Sequence, residues 1–226
     1  TAYPIVKLWG FTQSNYHVPS DKEIAAAVEK TDFRKIVFNG SNITIDENTE
    51  IDLGGIAKGY ISQYIIDKLK ESCVSSALIS MGGNVQVLGK KPNGSLWNVA
   101  IKDPAENSSY IGTLKVSDKA VVTSGTYERY FIENGAKYHH IMNPDTGYPA
   151  DSGLASVTII SEDGVLADGL STALFVLGEN KAFELYRKYH EFEMILVTTD
   201  NRVVVSKGLS GIFTKTASVY KYEYKG

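Results

Sequence analysis

Cysteine occurs once in the 226 residues, at Cys73. A single thiol closes no internal disulfide and builds no thiolate metal cluster, so neither can hold the fold together. Within Glu71-Ser72-Cys73-Val74-Ser75 it is expected to be a small packing residue. Proline is scarce too, at 6 residues, and the 20 glycines follow no repeat, which excludes collagen-like and proline-rich chains. Positive charge is not in excess: 23 Lys and Arg stand against 26 Asp and Glu, a net charge of −3. A broad basic surface for nucleic acid is thereby excluded as an expectation. No run approaches the roughly 18 to 20 apolar residues that cross a bilayer, and no basic stretch leads into an apolar one at the start. The chain opens on Thr1-Ala2-Tyr3-Pro4 without an initiator Met, so an N-terminal piece, and any targeting signal with it, is expected to have been removed. What is present is 43% hydrophobic and 22% charged, enough to bury a core as one large domain or two small ones.

Local patterns place the elements. Ser20 followed by Glu23 three residues on is a capping box, and it predicts a helix over Ser20 to Val28. Lys35 to Phe38 and Asn42 to Ile45, joined around Asn39-Gly40, predict a hairpin. After Gly54-Gly55, the apolar series Ile56, Tyr60 and Tyr64 with Ile61, Ile65 and Leu69 predicts a helix of about four turns with one apolar stripe along it. Short β-branched runs at Ala77 to Ser80, Val85 to Leu88, Leu96 to Ile101, Ile111 to Val116 and Ala120 to Val122 predict strands. A helix from about Val165 to Leu177 stops at Gly178, a second spans Lys181 to Tyr189, and strands at Glu193 to Thr198 and Arg202 to Ser206 close the chain. Strands and helices alternate irregularly, which favours α+β over a doubly wound parallel sheet.

Five polar, Gly-rich punctuations at the ends of apolar runs could carry chemistry. In Asp52-Leu53-Gly54-Gly55-Ile56-Ala57-Lys58-Gly59-Tyr60, adjacent glycines let a ligand approach the backbone, and the helix start that follows offers free N–H groups and Lys58 to a phosphate. The other reading is a tight turn with an exposed Lys. Asp168 and Thr172 are four apart and share a helical face, where a carboxylate and a hydroxyl offer hard oxygens to Mg²⁺. A first-turn Asp that complements the helix dipole is the plainer alternative. In Tyr138-His139-His140-Ile141-Met142-Asn143-Pro144, a strand over Lys137 to Ile141 would turn the two histidines to opposite faces, leaving one as a general base. Met81-Gly82-Gly83-Asn84 and Thr123-Ser124-Gly125 complete the set as strand ends open to a flat ring or a phosphate. His17 and His190 lack such a context and are expected at the surface.

Taken in order, Leu8-Trp9-Gly10-Phe11, Asp52 to Tyr60, Met81 to Asn84, Ser124-Gly125 with Tyr130-Phe131, His140 to Pro144 with Thr146-Gly147, and Ala167-Asp168 through Gly178 closely resemble the ApbE family of FAD:protein FMN transferases, formerly labelled thiamine-biosynthesis lipoproteins. The resemblance covers nearly all of residues 1–226 as one flavin-transferase domain, and implies an α+β fold of mixed, mostly antiparallel sheets with flanking helices. It implies transfer of the FMN moiety of FAD to a threonine hydroxyl of a target flavoprotein, with Mg²⁺ and release of AMP. Carried over by position, Asp168, Thr172 and the backbone carbonyl of Gly55 become metal ligands, and His140 becomes the base. Asp52, Lys58, Gly82, Gly83, Asn84 and Ser124 become flavin or pyrophosphate contacts. Ser171 stands where some relatives carry a second Asp, and a family segment preceding Thr1, with a Phe-Asp pair that contacts FAD, is absent from this sequence. The resemblance also implies an extracytoplasmic, lipid-anchored, membrane-associated protein.

Two other activities share the same residues. One is Mg²⁺-dependent hydrolysis of FAD to FMN and AMP, with water in place of the threonine. The other is a flavin-binding module without turnover. Products formed from FAD in the presence of an acceptor protein separate the three.

Overall fold

The computed structural model describes residues 1–106 and 108–226, and the chain crosses repeatedly between two units, one built from Thr1–Leu53 and Thr126–Ala150, the other from Gly54–Gly125 and Asp151–Gly226. The first unit opens with α1 (Tyr3–Leu8), α2 (Asp21–Val28) and the hairpin of β1 (Val37–Asn39) with β2 (Asn42–Thr44). The second begins with α3 (Ala57–Glu71), then β3 (Ala77–Met81), β4 (Asn84–Leu88), β5 (Trp97–Lys102), β6 (Tyr110–Val116) and β7 (Lys119–Gly125). The first unit is completed by β8 (Tyr130–Glu133) and β9 (Ala136–His139). The second then closes with β10 (Leu154–Ser161), α4 (Gly164–Tyr189), β11 (Glu193–Thr198), β12 (Arg202–Ser206), β13 (Phe213–Lys215) and β14 (Lys221–Lys225).

In the first unit, the predicted capping box forms. The Ser20 hydroxyl accepts the Glu23 N–H at 3.4 Å, and the Glu23 carboxylate accepts the Ser20 N–H at 2.9 Å. Two of the helix's unpaired donors are satisfied this way. Its core gathers Ile5, Trp9, Phe11, Ile24, Ala27 and Met142. Trp9 is fully buried, and its indole N–H donates to the Gly147 carbonyl at 2.9 Å. Beside it runs a ladder of rings: Tyr16 stacks on Phe131 at 5.5 Å, and Phe131 stacks on Tyr138 at 5.2 Å. The β1–β2 hairpin is present as expected, yet its residues are exposed on both faces.

The second unit holds a seven-stranded sheet in the order β14-β12-β11-β10-β7-β4-β3, antiparallel except for the parallel β12–β14 pair. A three-stranded antiparallel sheet, β13-β6-β5, shares one core with it, in which Ile101, Ile111 and Leu114 meet Val121, Ile160, Ile195 and Val205. Helix α4 packs on β7 and β10, and α3 packs on α4 and β4. Mixed, mostly antiparallel sheets with flanking helices are therefore what the chain forms. Strand β10 went unrecognised in the sequence because Leu154 to Ser161 is buried on both faces and so shows no alternation.

One expectation needs correction, that for Cys73, and the stripe predicted along α3 takes an exposed position. The apolar stripe of α3 does not face the core: Tyr60, Ile61 and Tyr64 are 61%, 47% and 55% exposed, and Ile56 and Ile65 are exposed as well. The buried face is Gly59, Ser62 and Ile66, because small residues allow α3 to lie close against α4. Cys73 is exposed just beyond the end of α3, with φ of 58°, rather than buried as a packing residue.

The predicted break at Gly178 is present, with φ 81° and ψ 173° inside α4. Just beyond it, Glu179 ties the helix to the sheet edge. Its carboxylate accepts from Lys225 Nζ at 2.6 Å and from Arg202 Nη2 at 3.1 Å. Burial pulls the Glu179 carboxyl upward, but the bonds from Lys225 and Arg202 outweigh it and hold the group below the usual 4.5. A carboxyl lowered in the folded state contributes stability that is complete above its unfolded value and is lost as pH falls through its folded value. Glu179→Gln is expected to cost about 1 to 2 kcal/mol at pH 7, with the gap to the parent protein closing in acid. Urea denaturation at pH 7 and pH 3 reads both.

Candidate functional site

The β3–β4 hairpin turns on Gly82-Gly83, with Gly82 at φ 68°, a conformation that glycine adopts without strain. The Thr123 N–H donates to the Gly83 carbonyl at 2.7 Å, which fastens this turn to β7 one residue before Ser124. Gly82 is exposed and Gly83 half-buried. Asn84 is fully buried, where its side-chain oxygen accepts from the Ser62 hydroxyl of α3 at 3.4 Å. Ser62 in turn sits over the Gly59 carbonyl at 3.0 Å.

Asp168 lies in the second turn of α4, 3% exposed, and its Oδ2 accepts the Gly59 N–H at 2.7 Å. The residue preceding α3, Ile56, offers no side-chain cap, so Asp168 caps α3 from a neighbouring helix. Gly55 belongs to the turn that leads into α3 and is exposed; next to it, the Ile56 side chain reaches α4, where a Cβ at Gly169 would stand 3.5 Å from its Cγ2. Lys58 is exposed in the first turn of α3. The second unit thus gathers Gly55, Lys58, Gly82, Gly83, Asn84, Ser124, Asp168 and Thr172 around the start of α3, the α4 segment that packs on it and the end of β7.

Hydroxyl logic orients Thr172. A carbonyl only accepts, so the Ser171 O–H donates to the Asp168 carbonyl at 2.8 Å. With that proton spent, the 2.8 Å contact between Ser124 and Ser171 requires Ser124 to donate. The 3.1 Å contact between Ser124 and Thr172 then requires Thr172 to donate. Thr172 Oγ1 consequently keeps its lone pairs for another partner. No group of three or more His, Cys, Asp or Glu that could hold a metal occurs among the described residues. One buried carboxylate with a helical hydroxyl and a nearby turn carbonyl suits instead a hard cation that fills its shell with water and phosphate, and Mg²⁺ is such an ion.

In the first unit, β9 ends at His139, which is buried, and His140 follows half-buried. The Arg129 carbonyl accepts both the His140 backbone N–H and Nδ1–H, each at 3.1 Å. A neutral ring that donates from Nδ1 carries its lone pair on Nε2, the form a general base needs. The Phe11 ring stands edge-on to it at 6.3 Å. Asp52 is exposed near the end of the first segment of this unit. Sequence reasoning named neither Gly59 nor Ser124's partner Ser171 as a site residue. The available signal was the pair of small residues Gly59 and Ser62, three apart, in a helix otherwise rich in large ones.

Residues 1–196 match the family model described as the ApbE family. The chain is 38% identical over 207 residues to the FAD:protein FMN transferase of Klebsiella pneumoniae strain 342, covering 90% of this chain and 64% of that protein. To the FAD:protein FMN transferase of Treponema pallidum it is 35% identical over 221 residues, covering 90% of this chain and 61% of that protein. The crystal structure of the ApbE protein from Thermotoga maritima superposes with a TM-score of 0.82 at 35% identity, over 94% of this chain and 70% of that one. The chain spans less than two thirds of the length of these curated relatives.

Proposed function

The chain belongs to the ApbE family, and from that premise we propose that the protein transfers the FMN moiety of FAD to a threonine hydroxyl of a target flavoprotein, releasing AMP. In this reaction the threonine oxygen forms a bond to the FMN phosphorus, the bond from that phosphorus to the AMP oxygen breaks, and the threonine proton passes to His140 Nε2. Asp168 and Thr172, with the Gly55 carbonyl, would hold Mg²⁺. When bound, the ion supplies charge neutralisation across the pyrophosphate. Lys58 and the free N–H groups at the start of α3 favour the same phosphates, while Gly82, Gly83 and Ser124 leave room beside them. Asn84 supports this wall from behind through Ser62, and Asp52 is assigned an FAD contact. An extracytoplasmic, lipid-anchored setting belongs to the same proposal.

The observation that carries the reading is the Asp168–Thr172 pair, with one carboxylate oxygen engaged by Gly59 and the hydroxyl oriented through Ser124 and Ser171. Incubation with FAD, Mg²⁺ and a threonine-bearing acceptor protein tests it by mass spectrometry. Covalent FMN on the acceptor is expected; free FMN with AMP would mean hydrolysis, and intact bound FAD would mean a binding module. His140→Ala is expected to abolish the covalent product while leaving the thermal transition of the protein near that of the parent. Ser124→Ala removes the acceptor for the Thr172 proton, and Mn²⁺ affinity measured by titration calorimetry is expected to fall about tenfold.

A further inference from the structure

The start of α3 carries an unusual constraint. Its N-terminal N–H groups have no partner inside the helix and no capping side chain from Ile56. The Gly59 N–H finds one in Asp168 Oδ2, on a separate helix, and the bond is buried. This contact exists because Gly59 has no side chain: a Cβ there would collide with the Gly164 carbonyl and stand 2.6 Å from the Asp168 Cβ, closer than atoms pack. Gly164 is itself confined, since its N–H donates to Gln63 Oε1 at 3.0 Å and a Cβ on it would meet Gln86 Oε1 at 2.6 Å. Gln86 Nε2 in turn donates to Gln63 Oε1 at 2.7 Å. The two helix starts are thus locked together at backbone distance, and neither can withdraw without uncovering a buried polar group.

We propose that Gly59 is a positioning residue for Asp168: its amide engages Oδ2, and its missing side chain sets the approach of α3 to α4, so that Oδ1 alone is presented to a divalent cation. The inference rests on the reading of Asp168 as a cation ligand. Order in the first turn of α3 and occupancy of the cation site are then coupled, because one carboxylate serves both.

Mn²⁺ is the probe, with affinity measured by titration calorimetry and by the electron paramagnetic resonance of the free ion. Gly59→Ala is expected to weaken Mn²⁺ binding at least tenfold, whereas Gly169→Ala, a control on the same helix pair, leaves it within twofold. Amide exchange of residue 59 in the cation-free protein supplies a second measurement that does not depend on the Gly59 variant folding. Asp168→Asn keeps an oxygen that accepts the amide, so residue 59 should stay protected as in the parent; Asp168→Ala should speed its exchange at least tenfold. Absence of Mn²⁺ binding in the parent protein would overturn the reading of Asp168, and the inference with it. Unchanged affinity in Gly59→Ala beside normal binding in the parent would overturn the inference alone. Equal protection of residue 59 in the parent and in Asp168→Ala would do the same.

Discussion

Asp168→Ala is expected to lower the proposed Mg²⁺-dependent FMN transfer by about a thousand-fold while the protein stays folded. The size follows from the several kcal/mol that a metal ion contributes to a developing phosphoryl charge, each 1.4 kcal/mol being tenfold in rate. Stability and activity separate in the comparison with Asp168→Asn. Alanine removes the oxygen that accepts the Gly59 N–H, and a lost helix cap costs about 1 kcal/mol. Asparagine keeps an accepting oxygen and loses the charge. Thermal unfolding should therefore rank the parent and Asp168→Asn together above Asp168→Ala, whereas transfer rates should place both variants far below the parent. An Asp168→Asn protein with full transfer activity would exclude the carboxylate as a ligand.

Trp9→Ala is expected to be the most destabilising single change in the first unit. The indole is fully buried against Tyr138 at 5.3 Å and Tyr148 at 5.7 Å, and donates to the Gly147 carbonyl. Truncating a buried Trp costs about 3 to 5 kcal/mol, and here the lost donor leaves a carbonyl unmatched as well. Natural domains have only about 5 to 15 kcal/mol in hand. Calorimetry should show a large fall in melting temperature. The same indole lies against Phe131 and Tyr138, which belong to the paired strands β8 and β9, and β9 ends next to His140. The proposed transfer should accordingly fail at temperatures where the parent protein supports it, and recover on cooling.

Legibility in the sequence followed the range of the forces involved. The Ser20–Glu23 box, the Asn39-Gly40 turn and the break at Gly178 are short-range effects of capping and of backbone freedom, and residues read one by one were enough to find them. Periodicity along α3 says that the helix has two faces, not which one is buried; Gly59 and Ser62 decided that through contact with another helix. Strand β10 was hidden by burial on both faces, and β14 by its place as a parallel neighbour of β12, a pairing that no local pattern reports. Within the site, the spacing of Asp168 and Thr172 was readable. Their orientation was not, since it depends on Gly59 and Ser124, distant in the chain.

The joint at Gly178 divides α4 into two tools with separate duties. The stretch before it carries Asp168, Ser171 and Thr172; the stretch after it carries Glu179, the anchor for the last strand. A rigid rod would transmit any tilt imposed at the sheet edge straight to the carboxylate. A residue with φ of 81°, where any side chain would be strained and would also stand 3.3 Å from the Ser152 carbonyl, lets the two stretches take different axes. Sequence drift in the anchoring half can therefore proceed without disturbing the half that carries Asp168 and Thr172, and residue 178 is the insulator between them.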